Sequence, residues 1–197
     1  MTRLKGSCLC GAARYRVHGF ILGCHACHCP NCKKFTGSAH STVMIGLGKN
    51  LSWDTDRNSV SFFEEDTPNP RAFCRQCGSP LPSISNNGMV VIPAGTLDTD
   101  PEIELSHHIF TKYKACWQPE TAERVFEDTL PPDEAIAMWR EIGARTEESD
   151  EDLVEFMSVC IRSEGFGSWW STNEQHFDPR LQRLMRRANN TTVSTKN

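Results

Sequence analysis

Within nine residues, Cys24-His25-Ala26-Cys27-His28-Cys29-Pro30-Asn31-Cys32, the chain carries four thiols and two imidazoles. Soft ligands at that density suit a thiophilic metal ion, zinc above all. Two more pairs flank the cluster, Cys8-Leu9-Cys10 upstream and Cys74-Arg75-Gln76-Cys77-Gly78 downstream. Eight of the ten cysteines therefore fall into three groups, and only Cys116 and Cys160 lack metal spacing.

The outer pairs predict one closed site. Cys8, Cys10, Cys74 and Cys77 would fill all four positions of a tetrahedral zinc, which is the arrangement that stabilises a fold and leaves no room for substrate. The central cluster differs, because Cys27, Cys29 and Cys32 at CxCxxC spacing supply an odd number of thiols. Three protein ligands with one open position is what a catalytic zinc needs. Spacing alone leaves a second possibility, that Cys24, His25 or His28 closes the shell and makes this site inert as well. Two Zn2+ ions per chain are expected either way.

These ligands need a scaffold. With 197 residues the chain is long enough for one ordinary domain with an appendage, so its cysteines are not required as staples. A net charge of -4 and a pI near 6.0 give no broad attraction to nucleic acid or to an anionic membrane. There is no signal-like apolar run at the start and no run of about 18 apolar residues anywhere, so a soluble, cytoplasmic protein is expected. Reducing surroundings argue against disulfides and favour metal ligation. They also leave the Asn190-Thr191-Thr192 sequon without meaning.

Up to about Glu127 the chain reads as short strands divided by turns. Alternation at Ala13, Tyr15 and Val17 follows the first cysteine turn, and a short apolar piece spans Phe20 to Leu22. Ser41 to Leu47, Trp53, Val60 to Phe63, Met89 to Ile92 and Ile103 to Phe110 are further strand candidates, and Thr67-Pro68-Asn69-Pro70 reads as a loop. After Pro131-Pro132 the period changes to that of helices. Asp133 can cap a helix carrying Ile136, Trp139 and Ile142, and Ser149 one carrying Leu153, Phe156, Met157, Cys160 and Ile161 on one face. Asp178-Pro179 opens a third, with Leu181, Leu184, Met185 and Ala188 inward. The expected organisation is a zinc-binding β domain at 1–127, a helical extension at 128–189 and a disordered tail at 190–197.

Five ordered stretches carry a family resemblance: Gly6-Ser-Cys-Leu-Cys-Gly-Ala; Cys27-His-Cys-Pro-Asn-Cys-Lys-Lys with Thr36-Gly-Ser; Phe73-Cys-Arg-Gln-Cys-Gly-Ser-Pro-Leu; Ala94-Gly-Thr-Leu-Asp; and His108-Ile-Phe with Trp117. Over residues 4 to 127 the chain resembles the glutathione-dependent formaldehyde-activating enzyme family, which also takes in centromere protein V. The resemblance implies a mainly β fold, the β-tent zinc-binding fold, here with a C-terminal α-helical extension. It implies a structural zinc on Cys8, Cys10, Cys74 and Cys77 and a catalytic zinc on Cys27, Cys29 and Cys32. It also implies a carbon–sulfur lyase acting on a glutathione conjugate such as S-(hydroxymethyl)glutathione or a larger adduct.

Other residues invite plainer explanations. A proton-moving group is still needed, and His28, His40 and His108 are the candidates. Lys33 and Lys34 could hold glutathione carboxylates, although two lysines in a turn are more often solvated surface. Adjacent strand residues such as His107 and His108 face opposite ways. Cys160 on a helix face acts as a small hydrophobe, and Trp169-Trp170 most simply docks the extension. The acidic run Glu147 to Glu155 suits a helix start, and Arg180, Arg183, Arg186 and Arg187 form a basic helix. The extension departs from the family and could be a lid, a homodimer arm or a tail. The competing expectation is a non-catalytic zinc module that binds a protein partner through it.

Overall fold

The computed structural model describes residues 3–63, 70–119, 124–128, 131–144, 149–162 and 165–194. They form two compact units, Thr2–Leu130 and Pro131–Asn197. The first is mainly sheet and the second helical. Among the described residues no helix is long and apolar enough to cross a membrane.

In the first unit the strands are β1 (Arg3–Ser7), β2 (Arg14–His18), β3 (Ile21–Cys27), β4 (Ser41–Leu47), β5 (Leu51–Trp53), β6 (Val60–Phe63), β7 (Arg71–Cys74), β8 (Pro80–Leu81), β9 (Ser83–Ile84), β10 (Met89–Pro93) and β11 (Leu105–Ile109). They make three sheets, ordered β1-β2-β5, β11-β3-β4-β10-β9 and β6-β7-β8. In β2 the residues alternate, with Tyr15 and Val17 buried and Arg14, Arg16 and His18 exposed, so one face meets the core. β3 is different. Its burial is nearly continuous from Cys24 to Cys27, as expected of a strand covered on both faces. It pairs antiparallel with β4 and parallel with β11. The core joins Leu4, Tyr15, Val17, Met44, Leu81 and Ile92 with the buried Cys8, Cys24 and Cys74.

Three features depart from the sequence expectation. The short strand β1 precedes the first cysteine turn, where its five residues give too little alternation to be seen. The Phe20 to Leu22 piece is only the start of β3, which runs on to Cys27. The central cluster also contains a helix, α1 (Pro30–Thr36), with Pro30 in its first turn. The Cys29 sulfur caps it by accepting from the Cys32 amide at 3.4 Å, and Gly37 ends it at φ 64°, a left-handed conformation that glycine adopts without strain. Lys33 and Lys34 therefore lie in the last turn of a helix rather than in an open turn. Of the Thr67 to Pro70 loop, residues 67–69 lie outside the described residues.

The helical unit contains α2 (Pro132–Ala144), α3 (Asp150–Ile161), α4 (Phe166–Asn173) and α5 (Pro179–Ser194). Ser149 caps α3, its hydroxyl accepting from the Asp152 amide at 3.1 Å. The expected inward residues of α5, Leu181, Leu184, Met185 and Ala188, are all buried. Gly143 lets α2 approach α5, since a Cβ there would stand 2.3 Å from Leu181 Cδ1. α4 is a fourth helix that the glycine-flanked Trp169-Trp170 pair had concealed. Trp170 is buried inside this unit, stacked on Phe177 at 4.6 Å and edge-on to Trp139 at 5.8 Å. The basic helix and acidic helix start meet each other, through Arg180–Asp150 at 2.8 Å and Arg187–Glu151 at 3.6 Å. Residues 190–194, expected to be tail, continue α5.

Candidate functional site

Two groups of cysteine sulfurs could each hold a metal ion. In the first, the sulfurs of Cys8, Cys10, Cys74 and Cys77 all lie within 4.8 Å of one another. Two turns bring them there. Cys8 follows β1, and its sulfur accepts from the Ala13 amide at 3.2 Å. Cys74 ends β7, where Gly78 folds back at 2.9 Å to the Cys74 carbonyl. The Ser79 hydroxyl links the turns, accepting from the Leu9 amide at 3.1 Å and lying 3.3 Å from the Cys77 sulfur. Hydrogen bonding to the Ser79 hydroxyl and backbone pulls the Cys77 thiol down to about 5. The Cys10 thiol, despite a backbone bond from Ala12, is pushed up to about 12 by burial and its sulfur neighbours. Crowded thiols of this kind cannot all ionise unless a cation joins them, so the donor set fits a soft divalent metal.

The second group is Cys27, Cys29 and Cys32, again with all sulfurs within 4.8 Å. Cys27 is the last residue of β3, Cys29 caps α1 and Cys32 sits in its first turn, so the strand-to-helix junction gathers them. The Cys27 bond and the Arg71 guanidinium lower the Cys32 thiol to about 6 against the effect of burial. The same bond, with burial, pushes the Cys27 thiol well above its usual range. This donor set also fits a thiophilic dication.

The three alternative closing ligands are drawn elsewhere. Cys24 is buried in the main core, where desolvation raises its thiol. His25 stacks on His107 at 5.5 Å between ring centroids. His28 Nε2 lies 2.9 Å from His108 Nδ1 in a buried hydrogen bond. Among the described residues, none of the three belongs to the sulfur group.

The parallel register of β3 and β11 sets His107 beside His25 and His108 beside Ala26. Successive residues point to opposite faces, so one register makes both histidine pairs. His40 joins the second, 5.1 Å from His28 and 5.7 Å from His108 between centroids. The three candidate bases, 80 residues apart at the extremes, thus come together. Beside them is a cleft of about 210 Å³ walled by His28, His108, Thr111, Lys112, Lys114 and Glu127. Lys112 is paired with Asp128. The Lys33 ammonium donates to the Tyr113 carbonyl, and Lys34 is exposed. Burial first, then His40 and His108, push His28 down to about 4, and burial also lowers His108. Both shifts favour the neutral rings.

His25 gives this histidine arrangement a testable pH dependence. Burial and then His107 lower it from 6.5 to about 4. The unfolded chain takes up that proton first, so stability is full above about pH 6.5 and is lost as pH falls toward 4. Thermal unfolding of the native chain and of His25→Phe should show this directly. Between about pH 7 and 5 the native chain should lose about 2 kcal/mol more than the variant; equal losses would contradict the assignment.

Arg71 escaped notice in the sequence because it stands outside the cysteine spacing. Its Nη2 donates to Cys32 Sγ at 3.7 Å. It lies at the head of β7, on the opposite face of the strand from Cys74.

A family model described as glutathione-dependent formaldehyde-activating enzyme matches residues 3–113. A protein of Halomonas elongata, provisionally named a glutathione-dependent formaldehyde-activating enzyme, is 30% identical, with the match covering 69% of this chain and 93% of that protein. The crystal structure of a Rhodobacter sphaeroides protein, 20% identical, covers 50% of this chain and 92% of its own, with a TM-score of 0.42.

Proposed function

The chain belongs to the glutathione-dependent formaldehyde-activating enzyme family, and from that premise we propose that it is a zinc-dependent carbon–sulfur lyase acting on a glutathione conjugate, S-(hydroxymethyl)glutathione or a larger adduct. We assign the sheet body to the β-tent fold. Cys8, Cys10, Cys74 and Cys77 would hold a structural zinc, and Cys27, Cys29 and Cys32 a second zinc with its remaining position left to substrate sulfur. The observation that carries the proposal is the grouping of these three thiols one residue from the His28–His108 pair and its cleft. A cytoplasmic setting suits ten cysteines that are all free thiols.

Cleavage of S-(hydroxymethyl)glutathione needs no external oxidant or reductant. The hydroxyl gives up its proton, its oxygen forms the carbonyl of formaldehyde, and the carbon–sulfur electron pair leaves with sulfur. Zinc, when bound, supplies Lewis-acid stabilisation of that departing thiolate. The neutral His28–His108 pair supplies the proton acceptor. In the cleavage direction the pair then passes that proton on to the leaving sulfur. In the opposite direction the pair returns the proton to the new hydroxyl. Lys33 and Lys34 on α1, with Lys114 in the cleft, would be the cations for the glutathione carboxylates, Lys112 being already paired with Asp128.

The test is thiol release from a panel of glutathione conjugates by the purified protein. At least one conjugate should turn over. No release from any of them would favour the second reading, a non-catalytic zinc module whose helices bind a partner. That reading draws on α2–α5 forming a compact unit of their own.

A further inference from the structure

Three thiolates around a divalent cation leave one net negative charge, and a fourth anionic sulfur makes it two. Accepting such a ligand is therefore opposed by the charge of the site itself. Arg71 places a permanent positive charge against one of these sulfurs, through its bond to Cys32 at 3.7 Å. The same guanidinium lies over the Phe35 ring, 5.4 Å from its centroid. Cys32 and Phe35 stand three residues apart on α1, so the planar group is fixed by two contacts to one helix. A lysine ammonium can supply the charge but not the planar stacking.

The strand behind Arg71 is anchored as well. β7 is paired on one side with β6 and on the other with β8. Its last residue, Cys74, belongs to the four-thiol group. One four-residue strand thus joins a ligand of one site to the cation that serves the other.

Resting on the zinc-site reading above, we propose that Arg71 is the positioning residue that lets the three-thiol site accept an anionic sulfur as its fourth ligand. It does so through Cys32, offsetting part of that sulfur's charge and holding it in place, without touching the substrate. The site thereby prefers thiolates to neutral ligands.

Cobalt(II)-loaded protein tests this, because sulfur-to-cobalt charge-transfer bands report the ligands of each site. Glutathione and imidazole, one anionic as a ligand and the other neutral, would be titrated into the native chain, Arg71→Met and Arg71→Lys. Arg71→Met should bind glutathione about 10- to 100-fold more weakly, Arg71→Lys should recover part of that, and imidazole affinity should stay level. The four-thiol band and the melting temperature monitor the fold, and Arg71→Gln replaces the methionine variant should that fail to fold. Unchanged glutathione affinity, or an equal loss for both ligands, would overturn the role of Arg71 alone. A native chain whose three-thiol site gives no cobalt signal would overturn the zinc-site reading and this inference with it.

Discussion

Cys29→Ser should cut thiol release from the best conjugate by on the order of 10³-fold, about 4 kcal/mol of transition-state stabilisation. A serine hydroxyl stays neutral near pH 7 and is a poor zinc ligand beside two thiolates. Position 29 separates chemistry from folding better than its neighbours do. Cys27 and Cys32 are buried, whereas Cys29 is half-buried and its sulfur caps α1 through the Cys32 amide. Serine is a favoured residue at an N-cap, so α1 should keep its start and the melt should shift by less than about 1 kcal/mol. Steady-state kinetics with a parallel melt would check both halves. Activity within about tenfold of the native chain would remove Cys29 from the machinery.

Cys74→Ser should act on the fold instead. Cys74 is 0% exposed and packs in the core with Val60, Ala72 and Leu81. Its group ties the turn at Cys8 and Cys10 to a turn 64 residues later. A structural zinc contributes on the order of 10 kcal/mol, comparable to the whole stability of an ordinary domain, about 5–15 kcal/mol. The sheet body should therefore lose its cooperative melt and the soluble yield should fall sharply. Undiminished stability with full zinc content in the variant would contradict a structural role.

Much of this was legible where one local signal decides the outcome. The apolar run Val43, Met44 and Ile45 before Gly46 marks β4, and Ser149 and Pro179 mark helix starts that the structure keeps. α1 was hidden because four cysteines and two histidines dominate its surroundings, while the one helical cue, Pro30, also suits a turn. α4 was hidden because Gly165 and Gly167 lower the helical signal around Phe166. The cysteine groups could be read from spacing, since each pair lies within one turn. The histidine cleft could not, because His28 and His108 meet only through the parallel register of β3 and β11. Nor could Arg71, whose contact with Cys32 depends on how one sheet faces a helix from another part of the chain.

The most direct measurement is the sulfur count per zinc by X-ray absorption, on protein carrying both ions and before any thiol is added. A mean below four sulfurs per zinc is expected, rising to four when glutathione is supplied, as the substrate sulfur fills the position that Cys27, Cys29 and Cys32 leave open. Four sulfurs per zinc in the absence of glutathione, with no change on adding it, would contradict an open site and with it the lyase.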